Sequence, residues 1–164
     1  MKHIPATIFA IFVCLTLCKA QPTDRPKLNA ISFELGKTGL IYNLNFDRKL
    51  ENKNLGFRFG VGSNLSKYLN ATTIGGGGYY LAGRQKHFFE FGVDIQYLII
   101  DEVSDDQRGF SFIYPDYSIR TLYPNLNVGY RSYGKRTLFR VGISPGLIKS
   151  ELVPGGYISY GFIF

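Results

Sequence analysis

Three kinds of side chain could carry chemistry in this chain: neighbouring carboxylates, a lone histidine and short runs of glycine. Glu90 and Asp94 could serve as general acid and base, but four residues apart on an extended chain they stand ~13 Å from one another. That is too far for a dyad without a partner from another segment. His87, the only histidine besides His3, could activate a serine nucleophile if one stood beside it. Asp101, Glu102, Asp105 and Asp106 offer the carboxylate oxygens that calcium takes, yet their spacing is not that of an EF-hand loop and solvated loop acids account for them. Gly60-Val61-Gly62 and Gly75 to Gly78 share the glycine content of phosphate-binding loops, but neither is followed by Gly-Lys-Ser/Thr at the start of a helix. Asn70-Ala71-Thr72 matches a glycosylation acceptor, a pattern too short to carry weight. No motif calls for a metal or a cofactor.

The elements that must hold these residues follow from composition and periodicity. Of 164 residues, 45% are hydrophobic, 16% aromatic and only 19% charged, with 14 Phe, 12 Tyr and 19 Gly. This is too apolar and aromatic for a disordered chain and too poor in Lys and Glu for a coiled coil. Lys2 and His3, the apolar run from Ile4 to Leu17 and the small residues around Lys19 read as a secretory signal peptide over residues 1–20. Its apolar stretch falls short of the ~20 residues that a spanning helix needs, and Leu17 stands where a lipidated cysteine normally has a small neighbour. Cys14 and Cys18 both lie in that segment, so no disulfide framework is expected after it. Loss of Lys2 and Lys19 lowers the basic residues from 19 to 17 against 12 acids, a net +5. For an exported chain, anionic lipid rather than nucleic acid is the expected counter-charge.

After a short segment over 21–27, the pattern has period two and no stretch offers helical spacing for ten residues, so residues 28–164 are expected to be all-β. Strands are predicted over 28–36, 40–49, 55–64, 72–82, 87–99, 123–131, 137–145 and 155–164, the fourth weakened by its glycines. One face carries Ile31, Phe33, Leu35, Leu40, Tyr42, Leu44, Phe57, Phe59, Phe89, Phe91 and their successors, without a charge. The other carries Asn, Ser and Gly together with Glu34, Asp47, Arg58, Glu90, Asp94, Arg131 and Arg140.

An eight-stranded barrel can turn an apolar face inward, as a lipocalin does, or outward into lipid. A water-facing exterior would carry Lys, Glu and Thr; small residues with isolated charges suit a crowded lumen. In Phe57-Arg58-Phe59-Gly60, Phe89-Glu90-Phe91-Gly92 and Phe139-Arg140-Val141-Gly142, a glycine shares the face of a charge and leaves room for it. The last strand alternates aromatics, Tyr160, Phe162 and Phe164, and resembles the C-terminal strand recognised by the assembly machinery of Gram-negative outer-membrane barrels. With the leader, residues 28–164 resemble a small barrel of the OmpA/OmpX type, although there is no Trp for the aromatic girdles. The resemblance implies an eight-stranded antiparallel up-and-down transmembrane β-barrel in the outer membrane, in contact with membrane lipid and lipopolysaccharide and delivered by barrel assembly machinery.

With both termini in the periplasm, turns near 50–54, 83–86 and 132–136 face inward and loops near 37–39, 65–71, 100–122 and 146–154 face outward. Phe110, Phe112, Tyr114 and Tyr117 in the longest loop are contact candidates for an external protein or glycan, or pack against the rim. His87 then lies on the periplasmic side, far from outer-leaflet lipid, and reads as a solvated turn residue. The four acids and three arginines of the polar face, buried in a narrow lumen, would persist only as a paired network. The expected function is therefore a non-enzymatic structural or surface-recognition barrel with a largely closed lumen. The rivals are a soluble periplasmic binder of an apolar ligand and an outer-membrane lipid hydrolase.

Overall fold

A computed structural model describes residues 28–37, 42–51, 53–63, 71–100 and 119–164, with the side chain of Ile119 excepted. The leader, the 21–27 segment, Leu40, the loop acids at 101–106 and the aromatics Phe110, Phe112, Tyr114 and Tyr117 lie outside the described residues.

Ten strands form one antiparallel sheet: β1 (Asn29–Gly36), β2 (Tyr42–Lys49), β3 (Leu55–Ser63), β4 (Ala71–Arg84), β5 (His87–Ile100), β6 (Ile119–Tyr133), β7 (Thr137–Ile143), β8 (Gly146–Ile148), β9 (Glu151–Val153) and β10 (Gly156–Ile163). The sheet closes on itself where β1 pairs with β10 and β5 with β6. It has eight staves rather than ten. The register of β7 on β10 (Gly156↔Ile143) continues unbroken into that of β8 on β9 (Gly146↔Val153). Pro145 and Pro154, which have no N–H to give to the ladder, interrupt the two staves near their outer ends.

Inside-outside alternation decides the sidedness. Phe59, Phe89 and Phe91 are 59%, 65% and 48% exposed, whereas Arg131, Arg140, Glu34 and Glu90 are wholly buried. The soluble reading required those phenylalanines inside, and the barrel turns them out. Closing eight strands leaves an interior only wide enough for side chains. That interior is where the charged face packs.

Three segments differ from expectation. β4 extends to Ala71–Arg84, and its four glycines stay in the wall because β3 and β5 pair with it along its length, from Phe57↔Gly78 to Gly60↔Gly75 and from Gly75↔Gln96 to Gly78↔Val93. Its inward side chains are Thr73, Tyr79 and Leu81, and its outward ones Thr72, Ile74 and Tyr80. β6 begins at Ile119, four residues before the expected strand and inside the segment expected as loop, with Leu122 continuing the outward series of Leu126 and Val128. Residues 146–153, also expected as loop, make a hairpin that prolongs the wall, with Lys149 (φ 49°) and Ser150 (φ 70°) both left-handed at its two-residue turn.

The turns at 50–54, 85–86 and 134–136 lie at the same end as Leu28 and Phe164, as Lys49 N–H to Leu28 O (2.8 Å) and Phe164 N–H to Asn29 O (2.9 Å) require. At this end the interior is apolar: Ala30, Leu138 and Ile163 pack with Tyr133, and so do Tyr79, Leu81 and Phe88. A second apolar layer of Ala71, Leu98, Ile100, Tyr123 and Ile148, joined by Val153, fills the opposite end. Between the two layers lie the charges.

Candidate functional site

Glu90, on β5, is the hub of the interior. Its Oε1 accepts from Arg58 Nη2 at 2.6 Å and from Arg140 Nη2 at 2.9 Å; its Oε2 accepts from Arg131 Nε at 2.5 Å and from Arg140 Nε at 3.1 Å. Asp47 Oδ1 bridges Arg58 Nε (3.1 Å) and Arg131 Nη2 (2.9 Å), and Glu34 Oε2 takes Arg140 Nη1 at 2.9 Å. One connected set thus draws a side chain from each of β1, β2, β3, β5, β6 and β7.

The two remaining staves supply aromatic faces. Tyr79 of β4 lies under the guanidinium groups of Arg131 (4.1 Å to the ring centroid) and Arg58 (5.3 Å), and Tyr157 of β10 lies under Arg140 (4.8 Å). Arginine suits this place because its planar fork bonds carboxylates edge-on while its face rests on a ring. Every stave of the barrel therefore contributes one member to a single layer.

The glycines make this layer fit. The expectation was that each glycine leaves room for the charge on its own strand; the nearest atoms belong instead to neighbouring strands, Asn45 Oδ1 at Gly60, Gly78 O and Tyr79 Cβ at Gly92, and Val128 O and the Tyr157 hydroxyl at Gly142. A Cβ on Gly142 would lie 2.4 Å from Val128 O and 2.9 Å from the Tyr157 hydroxyl, and one on Gly56 would lie 2.3 Å from Tyr79 Cζ. Tyr157 and Tyr79 lie flat across glycines of the adjacent staves and so reach the arginines.

Glu34, Asp47, Glu90 and Asp94 face only three arginines in the sequence pattern, one cation short. Lys37 supplies it. Gly36 (φ 89°) and Lys37 (φ 74°) turn the chain at the end of β1 and carry the lysine into the lumen, 4% exposed, where its Nζ bonds Asp94 Oδ2. Asn127 Nδ2 donates to the same oxygen at 2.9 Å. With four acids and four bases, the described interior is neutral. Charges removed from water cost several kcal/mol each unless paired and hydrogen-bonded, and this neutrality is what lets them lie between two apolar layers. Beside Lys37 and Asp94 a cavity of about 10 Å³, lined also by Asn43, Asn45, Arg58, Thr73 and Gln96, has room for about one water.

Lys37, Tyr79 and Tyr157 escaped the sequence reading. Tyr79 and Tyr157 do carry a signal, since each is one residue out of step with the outward aromatics Tyr80 and Tyr160 and must face in. Lys37 carries none, because its position depends on a left-handed turn at a non-glycine residue. Of the other expected residues, Tyr160, Phe162 and Phe164 all stand on the outer face of the closing stave. His87 opens β5 on the turn side, stacked on the Tyr130 ring with Nδ1 2.5 Å from its hydroxyl. Among the described residues there is no group of three or more His, Cys, Asp or Glu that could hold a metal ion.

No family model matches the sequence, and no curated protein does. Solved structures do match. The N-terminal β-barrel domain of Pseudomonas aeruginosa OprF aligns over 84% of this chain and 98% of that one, with a TM-score of 0.63 at 12% identity. The Yersinia pestis outer membrane protein Ail, solved in a phospholipid bilayer nanodisc, aligns over 85% of this chain and all of that one, with a TM-score of 0.50 at 9% identity. At such identities the likeness is one of fold: this chain folds as a closed, eight-stranded antiparallel barrel of the kind found in outer-membrane proteins.

Proposed function

We propose that this protein is a non-enzymatic outer-membrane barrel: a scaffold held by lipid on its apolar exterior, closed within by its ion-pair layer, and working through its external loops. The observation that carries this reading is the combination of an uncharged, aromatic exterior with a neutral network to which all eight staves contribute. Such a layer spends its arginines and carboxylates on one another, although Glu34 Oε1, Asp47 Oδ2 and the hydroxyls of Tyr79 and Tyr157 lie buried without a hydrogen-bond partner. The fold shared with the OprF barrel and with Ail supports the same reading. Export from the cytoplasm and recognition of the Tyr160, Phe162 and Phe164 strand by barrel assembly machinery belong to it, as do contacts of Phe110, Phe112, Tyr114 and Tyr117 with lipopolysaccharide or an external protein or glycan.

The test begins with membranes of expressing cells washed in high salt, solubilised in mild detergent and run on a denaturing gel with and without boiling. A membrane-retained band whose mobility shifts on boiling supports the reading; a band released by the salt wash, with no shift, overturns it. Deletion of residues 103–115 then separates scaffold from reader. The mobility shift should survive and any surface binding should vanish, and binding that persists would dismiss the loop as its source.

A further inference from the structure

The charges left outside the lumen are not spread evenly over the barrel. At the end bearing the short turns, the described residues present Arg48, Lys49 and Lys53 at the β2–β3 turn, Arg84 and Lys86 at the β4–β5 turn, and Lys135 and Arg136 at the β6–β7 turn. Glu51 is the one acid among them. Arg48, Lys53, Arg84, Lys86, Lys135 and Arg136 are exposed, while Lys49 leans over the Phe88 ring at the lumen mouth, 5.7 Å from its centroid. In the order of the sheet these turns stand two staves apart, so the basic groups recur at three of the four turn-side positions, the β1–β10 seam being the fourth, rather than forming a patch on one side.

A second feature lies beside them. Phe57, Phe89 and Phe139 stand outward two residues from the strand ends on this side and Phe162 one residue from its own, and tyrosines join them: Tyr130 pairs with Phe89, Tyr160 with Phe139, and Tyr80 with Leu55 and Phe91. Aromatic rings at this depth mark the boundary between hydrocarbon and headgroups, which sets the basic groups at the level of the phosphates.

We propose that the turn-side rim is a recognition surface for anionic phospholipid headgroups, its arginines and lysines taking the phosphodiesters of the leaflet that surrounds them. The proposal rests on the membrane-spanning reading above and extends it. A leaflet touches a barrel on several sides at once, as these three turns are arranged, whereas a docked protein would need its charge gathered on one flank. Basic groups beside an anionic surface gain attraction that fades within a Debye length, so salt should weaken it.

The experiment reconstitutes the full barrel in phosphatidylcholine bilayers with a trace of spin-labelled phosphatidylglycerol or spin-labelled phosphatidylcholine and measures the motionally restricted fraction of each. The expected result is a relative association about threefold or more in favour of phosphatidylglycerol. It should fall to about one in molar salt, and likewise in a Lys53→Gln, Arg84→Gln, Lys86→Gln, Arg136→Gln variant that keeps its boiling-dependent mobility. Equal restriction of the two lipids would overturn the proposal and leave the spanning barrel intact; restriction of neither would overturn both. A preference that persists in the variant would take the rim out of the argument. Co-sedimentation with purified peptidoglycan sacculi that the variant loses, without any lipid preference, would assign the same charges to the cell wall instead.

Discussion

Glu90 accepts from all three lumen arginines, so it is the residue whose loss leaves most charge uncompensated. A Glu90→Gln variant keeps the shape and removes the charge that Arg58, Arg131 and Arg140 share. Removing one partner of a buried ionic set costs about 3–5 kcal/mol. Urea unfolding in detergent micelles should show that loss, and a change below about 1 kcal/mol would mean that water reaches the layer and screens it. Lys37 tests the same principle from the cationic side. Replacing it with methionine strands Asp94, so a Lys37→Met, Asp94→Leu double variant should recover much of what the single change loses.

The staves are held apart and together by glycine. Gly129 and Gly142 face one another across β6 and β7, and Tyr157 pairs with Gly142 from β10. A Gly142→Ala methyl would press on Val128 O and on Gly129 Cα at 2.6 Å, both of them backbone that cannot step aside. Overpacking of this kind costs about 1–3 kcal/mol, and the change should also push Tyr157 off Arg140. A lower midpoint in urea unfolding, with the mobility shift retained, is the expected outcome. The hairpin turn at the opposite end predicts a gain. Ser150 holds φ at 70°, where a β-carbon crowds the following carbonyl at about 1–2 kcal/mol per residue. Ser150→Gly should recover part of that, and an unfolding midpoint that does not rise would show the turn to be relaxed in solution.

At the scale of the whole molecule, the proposed function makes the barrel a plug rather than a pore, its neutral layer lying between two apolar ones. In planar bilayers the protein should give no reproducible single-channel openings at moderate voltage. Reproducible openings that an Arg58→Ala, Arg140→Ala double variant abolishes would show that the arginines line a conduction path and would defeat the closed reading. The basic turn side also gives the molecule electrical polarity. In the sequence, residues 101–118 between β5 and β6 hold five acids against one arginine.

Periodicity of two, without a charge on one face and with small residues on the other, was enough to predict eight strands and to sort the two faces of each, while the closed sheet decided that the face of Phe59, Phe89 and Phe91 lies outside. Side chains on a strand alternate by stereochemistry, so that pattern is local and survives whatever the chain does elsewhere. It also placed the seven charges Glu34, Asp47, Arg58, Glu90, Asp94, Arg131 and Arg140 together on one face. Only the closed barrel decided how they meet. Arg140 reaches Glu34 across 106 residues of sequence and Arg131 reaches Asp47 across 84, distances over which no spacing rule operates. Closure also recruited Lys37, Tyr79 and Tyr157, because the charge balance of a sealed volume and the space above a facing glycine are properties of neighbours in the sheet, not of neighbours in the chain.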